Sequence, residues 1–263
     1  ARRAARFHAR KADLMRLALA LLLLLLPATG QTQTWALPDG QAYVETTGPV
    51  KVRLGGPTLR YDHDVLGGMP RWSTLSVAAP GGSSSVSLPE NLVFEDTRPR
   101  LWDVTGDGTP EIVVVESSLT KGARLAVWSF QGARLERLAE TAYFGRPQRW
   151  LAPLAVGDFD GDGRPEIAYV DRPHLARELV FLRFENGNLR ELARLGGVTN
   201  HRIGDSYISG GARNCGKGSE AILVDSDWSR IIAVTLRGTR PEPRILGSYQ
   251  SPASLQAALA CKF

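Results

Sequence analysis

Cysteine is nearly absent from this chain: its 263 residues contain two, Cys215 and Cys261. Neither sits in a Cys-x-x-Cys pair, so no zinc-finger or zinc-ribbon pattern is present. A Gly-x-Ser-x-Gly elbow, a His-Glu-x-x-His motif and a phosphate-binding loop are missing too. That removes the usual sequence warrants for a serine hydrolase, a zinc protease or a nucleotide enzyme. Lysine is scarce, five of the 32 basic residues, a bias we assign to composition and not to function. The body of the chain also lacks a basic block. The formal charge of +5 lies wholly in residues 1–30, where Arg2, Arg3, Arg6, Arg10, Lys11 and Arg16 face one acid, Asp13. Setting those aside leaves 26 basic and 26 acidic residues, and a neutral body offers no electrostatic footprint for nucleic acid.

Long apolar runs are also lacking. Arg16 precedes ten unbroken apolar residues, Leu17–Leu26, followed by Pro27-Ala28-Thr29-Gly30. A positive segment, a short apolar segment and small residues in that order form a secretory leader over residues 1–30, cut after Gly30, with Met15 at its natural start. As a helix the apolar run covers only about 15 Å, half of a bilayer core of roughly 30 Å. No retained membrane span is therefore expected. The mature part, 31–263, is expected to be periplasmic or secreted, in an oxidising compartment where calcium is available. In that setting an even pair of cysteines favours a Cys215–Cys261 disulfide over free thiols.

What the chain does have is a repeat. Asp103-Val-Thr-Gly-Asp-Gly-Thr-Pro-Glu-Ile112 returns 55 residues later, without a gap, as Asp158-Phe-Asp-Gly-Asp-Gly-Arg-Pro-Glu-Ile167. Another step of 55 lands on Arg213-Asn-Cys-Gly-Lys-Gly-Ser-Glu-Ala-Ile222, which keeps both glycines and loses the carboxylates of the ligand positions. Each copy is followed by an apolar run (Ile112–Val115, Ile167–Val170, Ile222–Val224), then an acid (Glu116, Asp171, Asp225), then a second run (Arg124–Phe130, Glu178–Phe184, Arg230–Leu236). Short runs rich in Val, Ile, Leu and aromatics, divided by Gly, Pro and Asn, are strands joined by turns. Helical spacing occurs only at Ser254–Ala260. The expected fold is all-β, a small β-propeller of about four blades on a 55-residue repeat, with a β-sandwich or an open sheet array as the alternative. The first blade, 41–95, is placed by available length, with strands expected at Val50–Leu54, Arg60–Asp64 and Trp72–Val77.

The loops have the chemistry of a calcium site. Calcium takes six to eight oxygen ligands, often from alternate positions of a tight loop. Asp158, Asp160, Asp162 and Glu166 occupy positions 1, 3, 5 and 9, and Arg164 offers its carbonyl at position 7. Asp103, Thr105, Asp107, Thr109 (by its carbonyl) and Glu111 repeat the scheme with a neutral oxygen at position 3, so weaker binding is expected there. The plain alternative is a solvated acidic turn with local side-chain-to-backbone bonds. Two copies in one register argue for two structural calcium ions. The third loop presents Arg213, Cys215, Lys217 and Ala221 at the ligand positions. It is not expected to bind metal, and Lys217 could put its ammonium where the ion would lie.

Asp103–Glu111 and Asp158–Glu166 resemble the FG-GAP/VCBS repeat of integrin-α-like β-propellers, whose Asp-x-Asp-x-Asp-Gly-x-x-Asp loops hold calcium between two strands of a blade. Trp150-Leu-Ala-Pro153, Asp171-Arg-Pro-His174, Thr199-Asn-His-Arg202 and Ser209-Gly-Gly211 extend the likeness to exported bacterial VCBS-repeat proteins, over about residues 55–261. The resemblance implies a propeller with structural calcium and implies no activity. Glu at position 9, the acid-free third loop and the low repeat count depart from the family pattern.

Three histidines lie outside the leader: His63, His174 and His201. With Asp171, Arg172 and Arg202 they form a candidate ligand pocket, because loops at the end of such a fold commonly carry binding residues. The plain alternative for each is a hydrogen-bonded structural side chain. Trp35, Trp72, Trp102, Trp128, Trp150 and Trp228 could build a glycan platform but more often pack between blades. The expected function is a non-catalytic binding or scaffold module for an extracytoplasmic protein, peptide or glycan. The alternative is a metal-dependent hydrolase using His63, His174 and His201, which a converging cluster would favour.

Overall fold

The structure is a computed structural model that describes residues 44–47 and 49–263. The expected leader and Trp35 lie outside the described residues.

Three antiparallel sheets of nine, four and five strands follow one another along the chain. The first contains β1 (Val44–Thr47), β2 (Val50–Thr58), β3 (Arg71–Ala79), β4 (Gly82–Ser87), β5 (Leu92–Phe94), β6 (Arg100–Trp102), β7 (Glu111–Ser118), β8 (Gly122–Gln131) and β9 (Arg134–Glu140). The second contains β10 (Leu151–Gly157), β11 (Glu166–Asp171), β12 (Glu178–Glu185) and β13 (Asn188–Gly196). The third contains β14 (Val198–Thr199), β15 (Gly211–Asn214), β16 (Ser219–Asp225), β17 (Arg230–Arg237) and β18 (Arg240–Ser248). One helix among the described residues, α1 (Pro252–Leu259), ends the chain where helical spacing was expected.

The strand after each loop is covered on both faces. β7 and β11 are buried at every position, which is why their centres, Ile112–Val115 and Ile167–Val170, are unbroken apolar runs and not alternating ones. The outer strands β13 and β18 carry exposed arginines. Pro241 and Pro243 on β18 and its arginines discourage pairing with another chain at this edge. A second mark of the repeat lies away from the loops. The register slips by one residue at Val127/Trp128 and Phe181/Leu182, the same place in the first two copies, and one pair farther from the loop, at Ile231/Ile232, in the third. A bulge there increases the local twist in each sheet.

Burial is sheet against sheet. Val113, Val115, Leu125, Leu151, Ile167 and Leu182 pack the first sheet on the second. Phe159, Val170, Phe181, Leu223, Ile232 and Val234 pack the second on the third. Ile222, Val224 and Ile231 receive Leu255 and Ala258 of α1, so the helix covers the far face of the third sheet.

Two expectations for the first unit fail. Arg60–Asp64 is a loop and not a strand: Tyr61 is buried and its hydroxyl accepts a bond from the Gln148 amide at 2.7 Å, so the segment serves tertiary contacts in place of a ladder. Residues 41–95 are also no separate sheet. β5 bridges β3 and β7, pairing Trp72 with Phe94 and Phe94 with Glu116, so one sheet runs from β1 to β9. β4 went unseen because Ser83-Ser84-Ser85 carries little strand propensity.

Candidate functional site

The two acidic loops share a framework of side-chain-to-amide bonds. Asp103 accepts from the amides of Gly106 at 2.7 Å and Gly108 at 2.9 Å. Asp158 accepts from Gly161 at 2.7 Å and Gly163 at 3.0 Å. Glu111 and Glu166 reach back to the amides of Val104 and Phe159, each at 2.8 Å. The glycines make the wrap, at φ of 80° and 85° in the first loop and 78° and 87° in the second. A β-carbon would strain those angles. Burial pushes both Glu111 and Glu166 above the usual carboxylate range, against the pull of their amide donors. Among the described residues one group of three ligand side chains lies at metal spacing: oxygens of Asp158, Asp160 and Glu166 fall within 4.8 Å of one another. An all-oxygen carboxylate set of this kind fits a hard divalent cation. Asp162 is not in that group; it accepts from the Arg164 amide at 2.9 Å and its guanidinium at 2.9 Å.

Sequence reasoning missed the residue that separates the loops. Arg183 on β12 lies across the ladder from Glu166. Its guanidinium bonds Glu166, Asp160 at 3.0 Å and Asp162 at 2.9 Å, with only 5% of the side chain exposed. The second loop therefore holds a protein cation at the oxygens a metal would use. In the first loop the corresponding place on β8 is Ser129, one residue past the Ile112–Trp128 pair. Among the described residues neither Asp103, Asp107 nor Glu111 makes an ion pair.

The third loop keeps the shape, with Gly216 and Gly218 at φ of 85° and 96°. Its inward cation is not Lys217, which is exposed, but Arg213 at position 1. Arg213 pairs with Glu220 at 2.7 Å and donates to the Ala258 carbonyl of α1 at 2.7 Å. A cation on the last carbonyls of a helix is favourable. Cys215 is bonded to Cys261 as expected, with Cα atoms 5.8 Å apart, so this loop fastens the C-terminal helix.

The acids after each first run are hairpin latches. Glu116 binds Arg124 at 2.8 Å and Arg137 at 2.9 Å. Asp225 binds Arg230 at 2.6 Å. Asp171, a candidate pocket residue, is held by Arg172 at 2.6 Å and Arg194 at 2.8 Å and is not among the residues that line the histidine cavity.

His63 and His174 do share a cavity, of about 170 Å³, with Arg149, Trp150, Arg172 and Pro173. Val65, Gln148, Leu175 and Ile203 complete it. His63 Nδ1 lies 2.7 Å from Glu95, a fully buried carboxylate also bonded by the Ser117 hydroxyl at 2.5 Å. His201 is buried behind His174: its Nδ1 is 3.0 Å from His174 Nε2 and its Nε2 is 2.9 Å from the Asp205 carbonyl. That carbonyl can only accept, so His201 donates from Nε2, accepts at Nδ1, and His174 donates from Nε2. Burial and the neighbouring His201 hold His174 down at about 4. Burial likewise lowers His201. Arg202 stands apart, over the Trp228 ring at 4.2 Å. Gln148 and Arg172 adopt φ of 54° and 42°, a region non-glycine residues seldom enter and one that concentrates at binding sites. Trp72, Trp128 and Trp150 are buried and Trp102 and Trp228 half-buried, so no exposed tryptophan platform exists among the described residues.

No curated protein matches the chain. Residues 103–169, from the head of the first acidic loop to the middle of β11, match the family model described as an FG-GAP-like repeat, so this chain is one that carries an FG-GAP-like repeat.

Proposed function

We propose that this protein is an exported, calcium-stabilised propeller-type module, residues 31–263, that binds an extracytoplasmic protein or peptide without catalysis. Its sheets would follow one another as blades, the nine-stranded one standing for two. Calcium would be held by Asp158, Asp160 and Glu166, and in the first loop by Asp103, Asp107 and Glu111 with the Thr105 oxygen. The ions hold the scaffold, and the ligand binds elsewhere. The Cys215–Cys261 bond fits an oxidising compartment. No described helix is long and apolar enough to cross a membrane.

The observation that carries the binding reading is the mouth of the histidine cavity. Leu175 and Ile203, 62% and 67% exposed, flank it, and both sit on loops between strands. Exposed apolar side chains beside a largely apolar cavity with a few polar groups mark an interaction site. The test is capture of a partner from the exported fraction by the immobilised chain. Loss of capture with Leu175→Asp and Ile203→Asp together supports the reading, and undiminished capture contradicts it.

One observation favours an enzyme: His63 and His174 converge, and Glu95 orients His63 as a carboxylate orients a general base. Against it, no hydroxyl, thiol or amine side chain lines the cavity, and the three histidines do not meet at metal spacing. Turnover of any ester, amide or phosphoester that His63→Gln abolishes, with the fold intact, would transfer the preference to a hydrolase.

A further inference from the structure

If the protein is a binding module, as proposed, the histidine cavity constrains the chemistry of its ligand. The cavity volume of about 170 Å³ is below the roughly 300–1,000 Å³ of pockets for drug-sized ligands, so it suits a group the size of one residue. Val65, Trp150, Pro173, Leu175 and Ile203 make most of its wall apolar. No carboxylate lines it, and two guanidinium groups do. Arg172 is already shared with Asp171. Arg149 donates to the Gln148 carbonyl at 2.9 Å and, among the described residues, pairs with no acid. It is the charge left for a ligand.

The histidines add the opposite polarity. His63 has Nδ1 committed to Glu95, and His174 has Nε2 committed to His201. Each has one ring nitrogen left; on His174, whose Nε2 donates to His201, that nitrogen is the acceptor Nδ1. A ligand that satisfies this wall brings an anion for Arg149, an N–H donor for a histidine and an apolar body of one residue. The geometry points to an N-acylated apolar amino acid, as found at the C-terminus of a peptide chain: carboxylate on Arg149, amide N–H on His174, side chain against Trp150 and Ile203. A free amino acid fits poorly, because its ammonium would enter beside Arg149 and Arg172.

Calorimetric titration of the full chain in calcium buffer tests this with four probes: N-acetyl-leucine, free leucine, and an acetylated tripeptide ending in leucine as the acid and as the amide. Both acylated acids are expected to bind. The tripeptide amide is expected to bind roughly 10–100-fold more weakly, through loss of a charge-assisted hydrogen bond, and free leucine by a similar factor, through its ammonium beside the two guanidinium groups. Arg149→Gln is expected to weaken the acids by a similar factor and leave the amide unchanged. Tighter binding of the tripeptide acid than of N-acetyl-leucine identifies a peptide end as the source, and equal binding identifies a small acylated acid. Equal affinity for acid and amide, or no binding of any probe, overturns the proposal. If the probes fail while a captured partner is still lost on Leu175→Asp with Ile203→Asp, the C-terminal-residue proposal falls and the binding reading stands. If capture is absent as well, both fall.

Discussion

The loops at 103–111 and 158–166 share their glycines, their amide donors and the carboxylates those amides hold, and differ in what neutralises them. The second loop has four carboxylates, but Arg183 and Arg164 stand among them. The first has three, and no described cation pairs with any of them. Carboxylate count alone ranks the second loop as the stronger calcium site. Counting the arginines narrows or reverses that ranking, since formal charge becomes −2 against −3. The third loop carries the exchange to its end, with an arginine and a disulfide where the ligands stood. One backbone shape thus accommodates three solutions to the same electrostatic problem: an expected metal, a shared arginine, and a covalent pin.

The comparison breaks most readily at Arg183. Without calcium, Arg183→Met is expected to cost about 3–5 kcal/mol, because it strands buried carboxylates, while Ser129→Ala stays within about 0.5 kcal/mol. Calcium should recover much of the Arg183→Met loss. Equal denaturant midpoints for the two variants would show that Arg183 is not the counter-ion. Next in size is the pin. Cys215→Ser with Cys261→Ser is expected to lower stability by roughly 3–4 kcal/mol, by the chain-entropy argument. Non-reducing peptide mapping that finds both thiols free would remove the premise. Asp160→Ala should lower the thermal midpoint more than Thr105→Ala, by about 1–2 kcal/mol, because it removes a charged partner of Arg183. The smallest effect is on pH. His174 sits below its ordinary value, near His201, His63 and Arg177, so the unfolded chain takes up its proton first as pH falls. Its contribution is complete above about 6.5 and is lost as pH drops toward about 4. His174→Gln should flatten the thermal midpoint over that window, and an unchanged slope would show that the histidine does not titrate on unfolding.

Much of this was legible from residue spacing. The period of 55 fixed the loops, the strands after them and the order of elements, because a loop that wraps through two positive-φ glycines leaves a mark that does not depend on its partners. The disulfide was legible from the even cysteine count and the expected compartment. What stayed hidden depends on side chains meeting across the sheet. Arg183 is seventeen residues from Glu166, and nothing in either segment announces the pairing. Glu95, under His63, lies 32 residues away. Tyr61 resembled a strand residue, yet its hydroxyl reaches Gln148. The convergence of His63 with His174 likewise needed the sheets to be stacked.

Thermal unfolding of the chain after EGTA treatment, with and without restored calcium, tests the role of the acidic loops most directly. At calcium one hundred times its Kd, one site stabilises by about 2.7 kcal/mol, and a chain of this size gains about 2–4 °C per kcal/mol. A rise of roughly 5–10 °C per occupied site on adding calcium is the expected result. An unchanged midpoint would show that the loops are acidic turns held by their own amides and by Arg183, with no ion to bind.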